Sequence, residues 1–382
     1  MKEKLFNEIK SLEKKYISVW EDVCNIESQT VDKEGVDKVG EYFSNLAKEN
    51  GWDIEVFSHS EAGNVICVTM NKESTLSPVS YSGHMDTVHP KGLFGYPAVT
   101  KDDEKIYGPG VVDCKGGIVV GFLAMEALKN IGFTTRPVQI LLQSDEEIGS
   151  RPSNKATINY ICQKAKDSIA FFNLEGHNNG DACIGRKGII AFEFIVSGIE
   201  AHSSACASKG ASAILEASHK IIELEKLKDE NGLTCNCGLI SGGSAKNTVP
   251  GKCTFVADVR YKNKEQYDWI CEYAKKVAST VHVAGTSCEL KLYSGRPCME
   301  RTQKNIDLFN KMNQIYIEND MTPLRERDRL AGSDAAEVTQ AGIPCVECMG
   351  VKGGAVHEKD EFAYLNSLVE SAMRLAIVTL NI

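Results

Sequence analysis

The sequence lacks long hydrophobic runs, internal repeats and low-complexity tracts. Its apolar segments are well short of the roughly 20 residues that a bilayer-spanning helix needs, so we expect no membrane partner. Basic residues are also in deficit, because 43 Lys and Arg stand against 52 Asp and Glu, which gives a net charge of −9. This balance argues against nucleic acid as a partner. A small-molecule substrate is compatible with it, because a pocket can be locally cationic on an acidic protein.

The N-terminal segment shows no pattern of an export signal. Its apolar side chains at Leu5, Ile9, Leu12 and Tyr16 have the spacing of an amphipathic helix rather than the continuous apolar core of a signal peptide. The 14 cysteines are mostly scattered singly, and we interpret the CxC at 235–237 as structural. We therefore expect a cytoplasmic protein whose cysteines are free thiols.

Length and patterning favour two domains. A chain of 382 residues is long for a single hydrophobic core. In the first half, the runs NVICVTM, VSYSGHMD, VQILLQS and SIAFFNLEG predict strands, and GIVVGFLAMEALKNIG predicts a helix. This alternation predicts an α/β fold with a mixed, partly parallel central sheet that is flanked by helices.

A second, smaller domain is predicted at residues 186–298, inserted between residues 1–185 and 299–382 of the first. Within it, GIIAFEFIVSG, TCNCGLISGG, KCTFVADVRY and a segment at about 286–294 predict strands. The run ASAILEASHKIIELEKL and a segment at about 265–280 predict helices. The order of strand, helix, two strands, helix and strand is that of a ferredoxin-like α+β domain.

Histidines and carboxylates recur at the ends of predicted strands and in nearby glycine-rich loops. The set comprises His84, Asp86, Asp113, Glu146, Glu147, Glu175 and His357. Loops that leave one edge of an α/β sheet usually form its ligand crevice. In the HxD spacing, the carboxylate of Asp86 can hold the Nδ1–H of His84 and leave the other ring nitrogen for a metal. The pattern therefore indicates a metal site.

Five segments together resemble the motif series of the M20 metallopeptidase family. They are GHMDTV at 83–88, GPGVVDCKGG at 108–117, SDEEIGS at 144–150, NLEG at 173–176 and GGAVH at 353–357. The resemblance covers nearly the whole chain. Among the members of the family, the chain most resembles the bacterial glutamate carboxypeptidase type. It implies a zinc-exopeptidase-like catalytic domain, with residues 186–298 as a lid and dimerisation domain.

The resemblance implies a site for two zinc ions, for which cobalt or manganese could substitute. His84 and Glu175 would bind one ion, Glu147 and His357 would bind the other, and Asp113 would bridge both. Two ions that share a hydroxide suit the hydrolysis of an amide bond.

The resemblance also implies catalytic roles beside the metals. Glu146 would be the general base that deprotonates water and then protonates the leaving amine. Asp86 would orient His84, and the peptide bond between Asp113 and Cys114 would be cis.

The resemblance also implies roles for four residues of the smaller domain. His202 and Asn247 would stabilise the oxyanion, and in dimeric relatives the histidine reaches the partner's active site. Arg260 would bind the free carboxylate of the substrate, because a planar guanidinium matches a carboxylate. Arg296 would be a second arginine that contacts a substrate carboxylate. A homodimer through this domain is implied as well.

These inferences predict a zinc hydrolase that cleaves the amide bond of a peptidyl or N-acyl amino acid with a free α-carboxylate, as a glutamate carboxypeptidase would. One alternative is an N-acyl-amino-acid deacylase, such as an acetylornithine deacetylase or a succinyl-diaminopimelate desuccinylase. Both share the same metal chemistry, so the sequence leaves them open. A non-catalytic metal- or ligand-binding protein is the alternative from another class.

Overall fold

The structure is a computed structural model that describes residues 1–178, 180–228, 232–329 and 332–382. It contains two compact units. The first consists of Met1–Ile184, Arg301–Asp328 and Ser333–Ile382, and the second of Gly185–Glu300 and Arg329–Gly332. The segment Arg329–Gly332 groups with the second unit, although the sequence analysis had assigned it to the first.

The helices, in chain order, are α1 (Lys2–Asn25), α2 (Lys33–Glu49), α3 (Lys115–Asn130), α4 (Ala156–Ala165), α5 (Ala213–Leu224), α6 (Lys264–Ser279), α7 (Gln303–Glu318), α8 (Ala335–Gln340) and α9 (Asn366–Asn381). Within the described part of the chain, none of the helices combines the length and the apolar character needed to cross a membrane.

The strands, in chain order, are β1 (Asp53–Phe57), β2 (Val65–Met70), β3 (Val79–His84), β4 (Thr100–Lys101), β5 (Lys105–Tyr107), β6 (Val138–Gln143), β7 (Ala170–Asn173), β8 (Asp181–Ala182), β9 (Gly188–Ser197), β10 (Ala201–His202), β11 (Thr234–Gly242), β12 (Thr248–Val249), β13 (Lys252–Tyr261), β14 (Ser287–Arg296), β15 (Arg325–Glu326), β16 (Cys345–Val346), β17 (Gly353–Gly354) and β18 (Phe362–Tyr364).

The first unit is built on a six-stranded mixed sheet with the strand order β1-β2-β6-β3-β7-β16. Strand β3 runs parallel to both β6 and β7, and β7 runs parallel to β16. Strand β2 pairs antiparallel with β1 on one side and with β6 on the other. Every residue of β3, β6 and β7 is buried, as expected for strands that are covered on both faces. The predicted α/β class with a mixed, partly parallel sheet is confirmed.

Two helices of this unit support the loops around the centre of the sheet. Helix α1 buries Tyr16 as predicted, and its Trp20 donates a hydrogen bond from Nε1 to the carbonyl of Val111 at 3.1 Å. In the first turn of α3, a Cβ on Gly117 would lie only 1.9 Å from the carbonyl oxygen of Leu174. Glycine therefore allows α3 to pack directly against the segment that follows β7.

The second unit contains a four-stranded antiparallel sheet with the order β11-β13-β9-β14. Helices α5 and α6 pack against it, and the stacked rings of Phe194 and Phe255 lie at the centre of its apolar core. Lys220 of α5 is buried and donates to three carbonyl oxygens at the end of α6, so the two helices are joined by more than apolar contact. The strand order is the ferredoxin-like one.

Candidate metal centre and catalytic residues

Three predicted ligands lie at the carboxyl ends of neighbouring parallel strands. His84 is the last residue of β3, while Glu147 and Glu175 lie in the loops that leave β6 and β7. The carboxyl ends of parallel strands share one edge of a sheet, so these side chains converge. Asp113 lies just before α3, and His357 lies in the loop between β17 and β18.

The five predicted ligands lie together, with Asp113 between the two imidazoles. His84 Nε2 is 3.0 Å from Asp113 Oδ1, and His357 Nε2 is 3.2 Å from Asp113 Oδ2. His84 Nε2 is also 3.6 Å from Glu175 Oε1, and His357 Nε2 is 3.1 Å from Glu147 Oε2. Each oxygen of Asp113 thus faces a different histidine, which is the arrangement that a bridging ligand needs.

The crowding of these groups shifts their proton affinities. Burial, followed by the charge of Asp113, raises the pKa of Glu147 to about 8 and that of Glu175 well above its ordinary value. Hydrogen bonds with Asp113 and Glu147 raise the pKa of His357 to about 10. Burial opposes charge on His84, but Cys114 and the carboxylates around it raise its pKa as well. These side chains are therefore short of positive charge.

The donor set fits divalent cations. Among the described residues, two groups could each hold an ion, namely His84 with Asp113 and Glu147, and His84 with Cys114 and Glu175. Imidazole and carboxylate oxygen are the ligands of hydrolytic zinc sites, and a cation would favour the ionised carboxylates that burial opposes. Cys114 was not predicted to lie here, and its thiol donates to the carbonyl of Leu174 at 3.3 Å. The bond between Asp113 and Cys114 is cis, as predicted.

Asp86 is fully buried and forms hydrogen bonds with several segments around the site. The sequence analysis predicted that the carboxylate of Asp86 would orient His84. The Nδ1–H of His84 donates to the backbone carbonyl of Asp86 at 2.9 Å and lies 3.4 Å from the carboxylate. The carboxylate also accepts the backbone N–H groups of Glu146 and Glu147 and the hydroxyl of Thr30. Asp86 therefore fixes the tautomer of His84 and the course of the loop after β6.

The three consecutive carboxylates after β6 have three different surroundings. Asp145 accepts from Thr157 Oγ1 at 2.6 Å and from the backbone N–H of Ser153 at 3.1 Å, so it holds the turn that precedes α4. Glu147 lies beside His357 in the candidate centre, and Glu146 is buried next to it. The structure thus gives Asp145 a structural function, which the sequence left unassigned.

A further buried carboxylate, Glu361, was missed by the sequence analysis. It accepts hydrogen bonds from the backbone N–H groups of Val112 and Asp113 at 2.9 and 3.0 Å. It lies shortly after His357 in the segment HEKDE, where Glu358 and Asp360 are exposed. The only signal in the sequence was its place beside a predicted ligand, and this did not distinguish it from the neighbouring acids.

In the second unit, His202 and Asn247 are neighbours. Strand β10 pairs with β12 so that His202 lies opposite Thr248, and the backbone N–H of Ser203 donates to the carbonyl of Asn247 at 2.9 Å. The Nδ1 of His202 accepts the backbone N–H of Ser204. In the neutral imidazole the proton is then on Nε2, which leaves an exposed N–H donor. This is the hydrogen that an oxyanion would accept.

Arg260 and Arg296 occupy one row of the second unit's sheet. Ile189 of β9 lies opposite Arg260 of β13 on one side and opposite Arg296 of β14 on the other. Side chains opposite one another in an antiparallel sheet lie on the same face, and two strand spacings separate the arginines by about 10 Å at Cα. Arg260 also pairs with Asp258 through Nε at 2.7 Å and Nη2 at 3.3 Å.

Comparison with known proteins gives a consistent set of relatives. The profile of peptidase family M20/M25/M40 matches residues 81–380. Carboxypeptidase G2 of Pseudomonas sp. (strain RS-16) is 27% identical over 360 residues, which cover 92% of this chain and 85% of that protein. Acetylornithine deacetylase of Myxococcus xanthus is 30% identical over 214 residues, which cover 52% of this chain and 54% of that protein. The aminopeptidase PepT of Bacillus cereus ATCC 10987 has the same fold, with a TM-score of 0.78, 19% identity and coverage of 96% of this chain and 98% of that one.

Metal binding is expected to release protons. Below its pKa of about 10, His357 carries a proton that a cation must displace. Glu147, with a pKa of about 8, also carries such a proton near neutral pH. Affinity for Zn²⁺ should therefore rise with pH, and calorimetry in two buffers of different ionisation enthalpy should detect the protons. The variant His357→Gln should release fewer. An affinity that is constant between about pH 6 and pH 8, with no proton release, would contradict this expectation.

Proposed function

Because the chain belongs to peptidase family M20/M25/M40, we propose that it is a zinc-dependent, glutamate carboxypeptidase-like hydrolase. The resemblance found in the sequence is confirmed, and the chain is a hydrolase of this family with a small-molecule substrate. Members of the family typically depend on two metal ions. The observation that carries the proposal is the position of Asp113, whose two oxygens face His84 and His357.

We assign the metal ligands as follows. His84 and Glu175 would hold one ion, Glu147 and His357 would hold the other, and Asp113 would contribute to both. Two divalent ions so placed would supply Lewis-acid polarisation of the scissile carbonyl and acidification of the attacking water. Zinc is the proposed native ion, with cobalt or manganese as substitutes, because imidazole and carboxylate ligands accept all of them.

Glu146 is the proposed general base. It is buried beside the ligand Glu147, and the carboxylate of Asp86 fixes its backbone through a hydrogen bond of 3.2 Å. Its carboxylate takes a proton from the attacking water and gives it to the nitrogen of the leaving amine, so that the amide and water become an acid and an amine. His202 and Asn247 are the proposed donors to the oxyanion.

The variant Glu146→Gln tests this role. The amide keeps the size of the side chain but cannot take up a proton, so we expect kcat to fall by about 100- to 10,000-fold while two metal ions per chain are retained. Metal content by elemental analysis and steady-state kinetics are the measurements. Glu358→Gln, which changes an exposed acid near His357, is the control and should keep full activity. Substantial turnover by Glu146→Gln would assign the base elsewhere.

The arginine row suggests that the substrate ends in a dicarboxylic amino acid. We propose that Arg260 binds the α-carboxylate through the edge of its guanidinium that does not face Asp258. Arg296, on the same face of the sheet, would bind the side-chain carboxylate of a terminal Glu or Asp. The name of the relative carboxypeptidase G2 agrees with removal of a C-terminal residue. The relative named acetylornithine deacetylase supports the second candidate, a deacylase of N-acyl amino acids.

A substrate panel separates these two candidates. We expect peptides that end in Glu or Asp to be hydrolysed with a kcat/KM at least about 10-fold higher than that of N-acetyl or N-succinyl amino acids. The reason is that the loss of one charged contact with the substrate lowers kcat/KM by about 10-fold or more. Arg260→Lys and Arg296→Lys should raise KM for these peptides. Arg301→Lys, at an ion pair with Glu326, is the control. A preference for N-acyl substrates would favour the deacylase.

A homodimer through the second unit is the proposed assembly. Helix α5 exposes Ile222 and edge strand β11 exposes Leu239 and Ile240, each by more than half of its surface. Helix α5 packs beside β11, so these side chains lie on adjoining elements. Exposed apolar side chains at a strand edge are typical of surfaces that pair with another chain.

Sedimentation velocity tests the dimer. Wild-type protein should sediment as a dimer at micromolar concentration, and Ile240→Lys should sediment as a monomer because the charge would have to be buried in the interface. Leu292→Lys, which changes an equally exposed side chain on the opposite edge strand β14, should leave the dimer intact. A monomeric wild type would exclude the proposal.

We also propose a cytoplasmic location, because all 14 cysteines are free thiols, and cell fractionation would check it.

A further inference from the structure

We propose that Glu361 is a positioning residue of the metal centre, because its carboxylate joins the three chain segments that carry His84, Asp113 and His357. The proposal rests on the proposed function in one respect, namely that these three residues bind metal. It adds a residue that does not belong to the ligand set and that acts through the backbone of its neighbours.

The carboxylate of Glu361 is saturated with hydrogen-bond donors. The side chain is 1% exposed. Its Oε1 accepts the backbone N–H groups of Val112 at 2.9 Å and Asp113 at 3.0 Å, and its Oε2 accepts the backbone N–H of Gly110 at 3.1 Å. His89 Nε2 lies 2.9 Å from Oε2. A carboxylate can only accept, so Nε2 of His89 carries the hydrogen, and all four lone-pair directions of the carboxylate are used.

These four contacts reach three different segments. His89 lies in the stretch that follows β3, shortly after the ligand His84 at the end of that strand. Gly110 and Val112 lie in the loop that ends at the ligand Asp113. Glu361 itself closes the loop of His357, and its carbonyl oxygen accepts the backbone N–H of Gly108 at 3.2 Å. One side chain therefore connects three loops that come from distant parts of the sequence.

The contact with Asp113 is the most consequential of the four. Asp113 must present one oxygen to His84 and the other to His357, at 3.0 and 3.2 Å. Its backbone N–H is held by Glu361, so the start of its side chain is fixed relative to both histidine-bearing loops. Groups that hold metal ligands in place without touching the metal commonly change affinity or activity by about 10- to 100-fold when they are altered.

The surroundings of Glu361 are buried and polar. Lys115 is fully buried nearby, and its interaction with Glu361 counteracts the lowering of the Lys115 pKa by burial. The adjacent acids Glu358 and Asp360 are exposed and lack such donors. A buried carboxylate with four donors and a nearby ammonium group is costly to replace, because any neutral side chain leaves several buried N–H groups without an acceptor.

The test compares metal affinity in Glu361→Gln and in a matched control. Gln keeps the length of the side chain, but its amide nitrogen would face N–H donors. We expect Glu361→Gln to bind Zn²⁺ about 10- to 100-fold more weakly, measured by competition with a chelating indicator, and to show an altered d–d spectrum with Co²⁺. The value of kcat should fall more than KM rises. Glu126→Gln is the control, since Glu126 is a buried carboxylate held by Lys15, Tyr16 and Asn50.

The control separates positioning from general stability. Glu126→Gln should lower the melting temperature while leaving the Zn²⁺ affinity and the Co²⁺ spectrum as in the wild type. If Glu361→Gln does not fold, His89→Phe removes one of the four donors and should weaken Zn²⁺ binding by a smaller factor, whereas His89→Gln, which keeps an N–H donor, should restore it.

The outcomes distinguish this inference from the proposed function. Wild-type protein that hydrolyses peptides and binds Zn²⁺, together with a Glu361→Gln variant of equal Zn²⁺ affinity and unchanged Co²⁺ spectrum, would overturn the positioning role and leave the function in place. Wild-type protein that binds no Zn²⁺ would overturn the proposed function. Weaker binding in Glu361→Gln than in Glu126→Gln supports the positioning role.

Discussion

Crowding of the largely buried carboxyl groups of Asp113, Glu147 and Glu175 is the constraint on which the candidate metal centre depends. Negative charge on all three at one sheet edge would be costly, because little water reaches them. His84 and His357 lie between them, and the raised pKa values of the histidines and of the two glutamates show that this compensation is incomplete. A pair of divalent cations would supply the missing charge, so the same repulsion that opposes folding favours metal binding.

A second set of carboxylates keeps the loops in place. Asp86, Asp145 and Glu361 each accept backbone N–H groups in loops that have no sheet partner. Buried backbone groups need partners, and loops that leave a sheet cannot obtain them from neighbouring strands. The acidic residues around the candidate metal site therefore divide into those that face it and those that replace the hydrogen bonds of secondary structure.

The convergence of the predicted ligands could be foreseen, because their residue types and their positions at strand ends are both visible in one dimension. The order of strands and helices along the second unit was also predictable, since each apolar run there is long and clearly bounded. The sequence could not predict Glu361, because HEKDE contains several acids and only the fold decides which of them turns inward. It could not predict that the backbone carbonyl of Asp86 also contacts His84, since backbone carbonyls carry no signature in the sequence.

The placement of the proposed ligands would make metal binding a property of the whole first unit. His84 and His357 lie far apart in the chain, and the segments between them include the central strands β6 and β7. An unfolded chain does not hold these side chains together, so the proposed site would form only in the native state. By mass action, a free metal concentration 100-fold above the dissociation constant adds about 2.7 kcal/mol to the free energy of unfolding. With the proposed ligands, metal supply would thus contribute to the stability of this protein as well as to its chemistry.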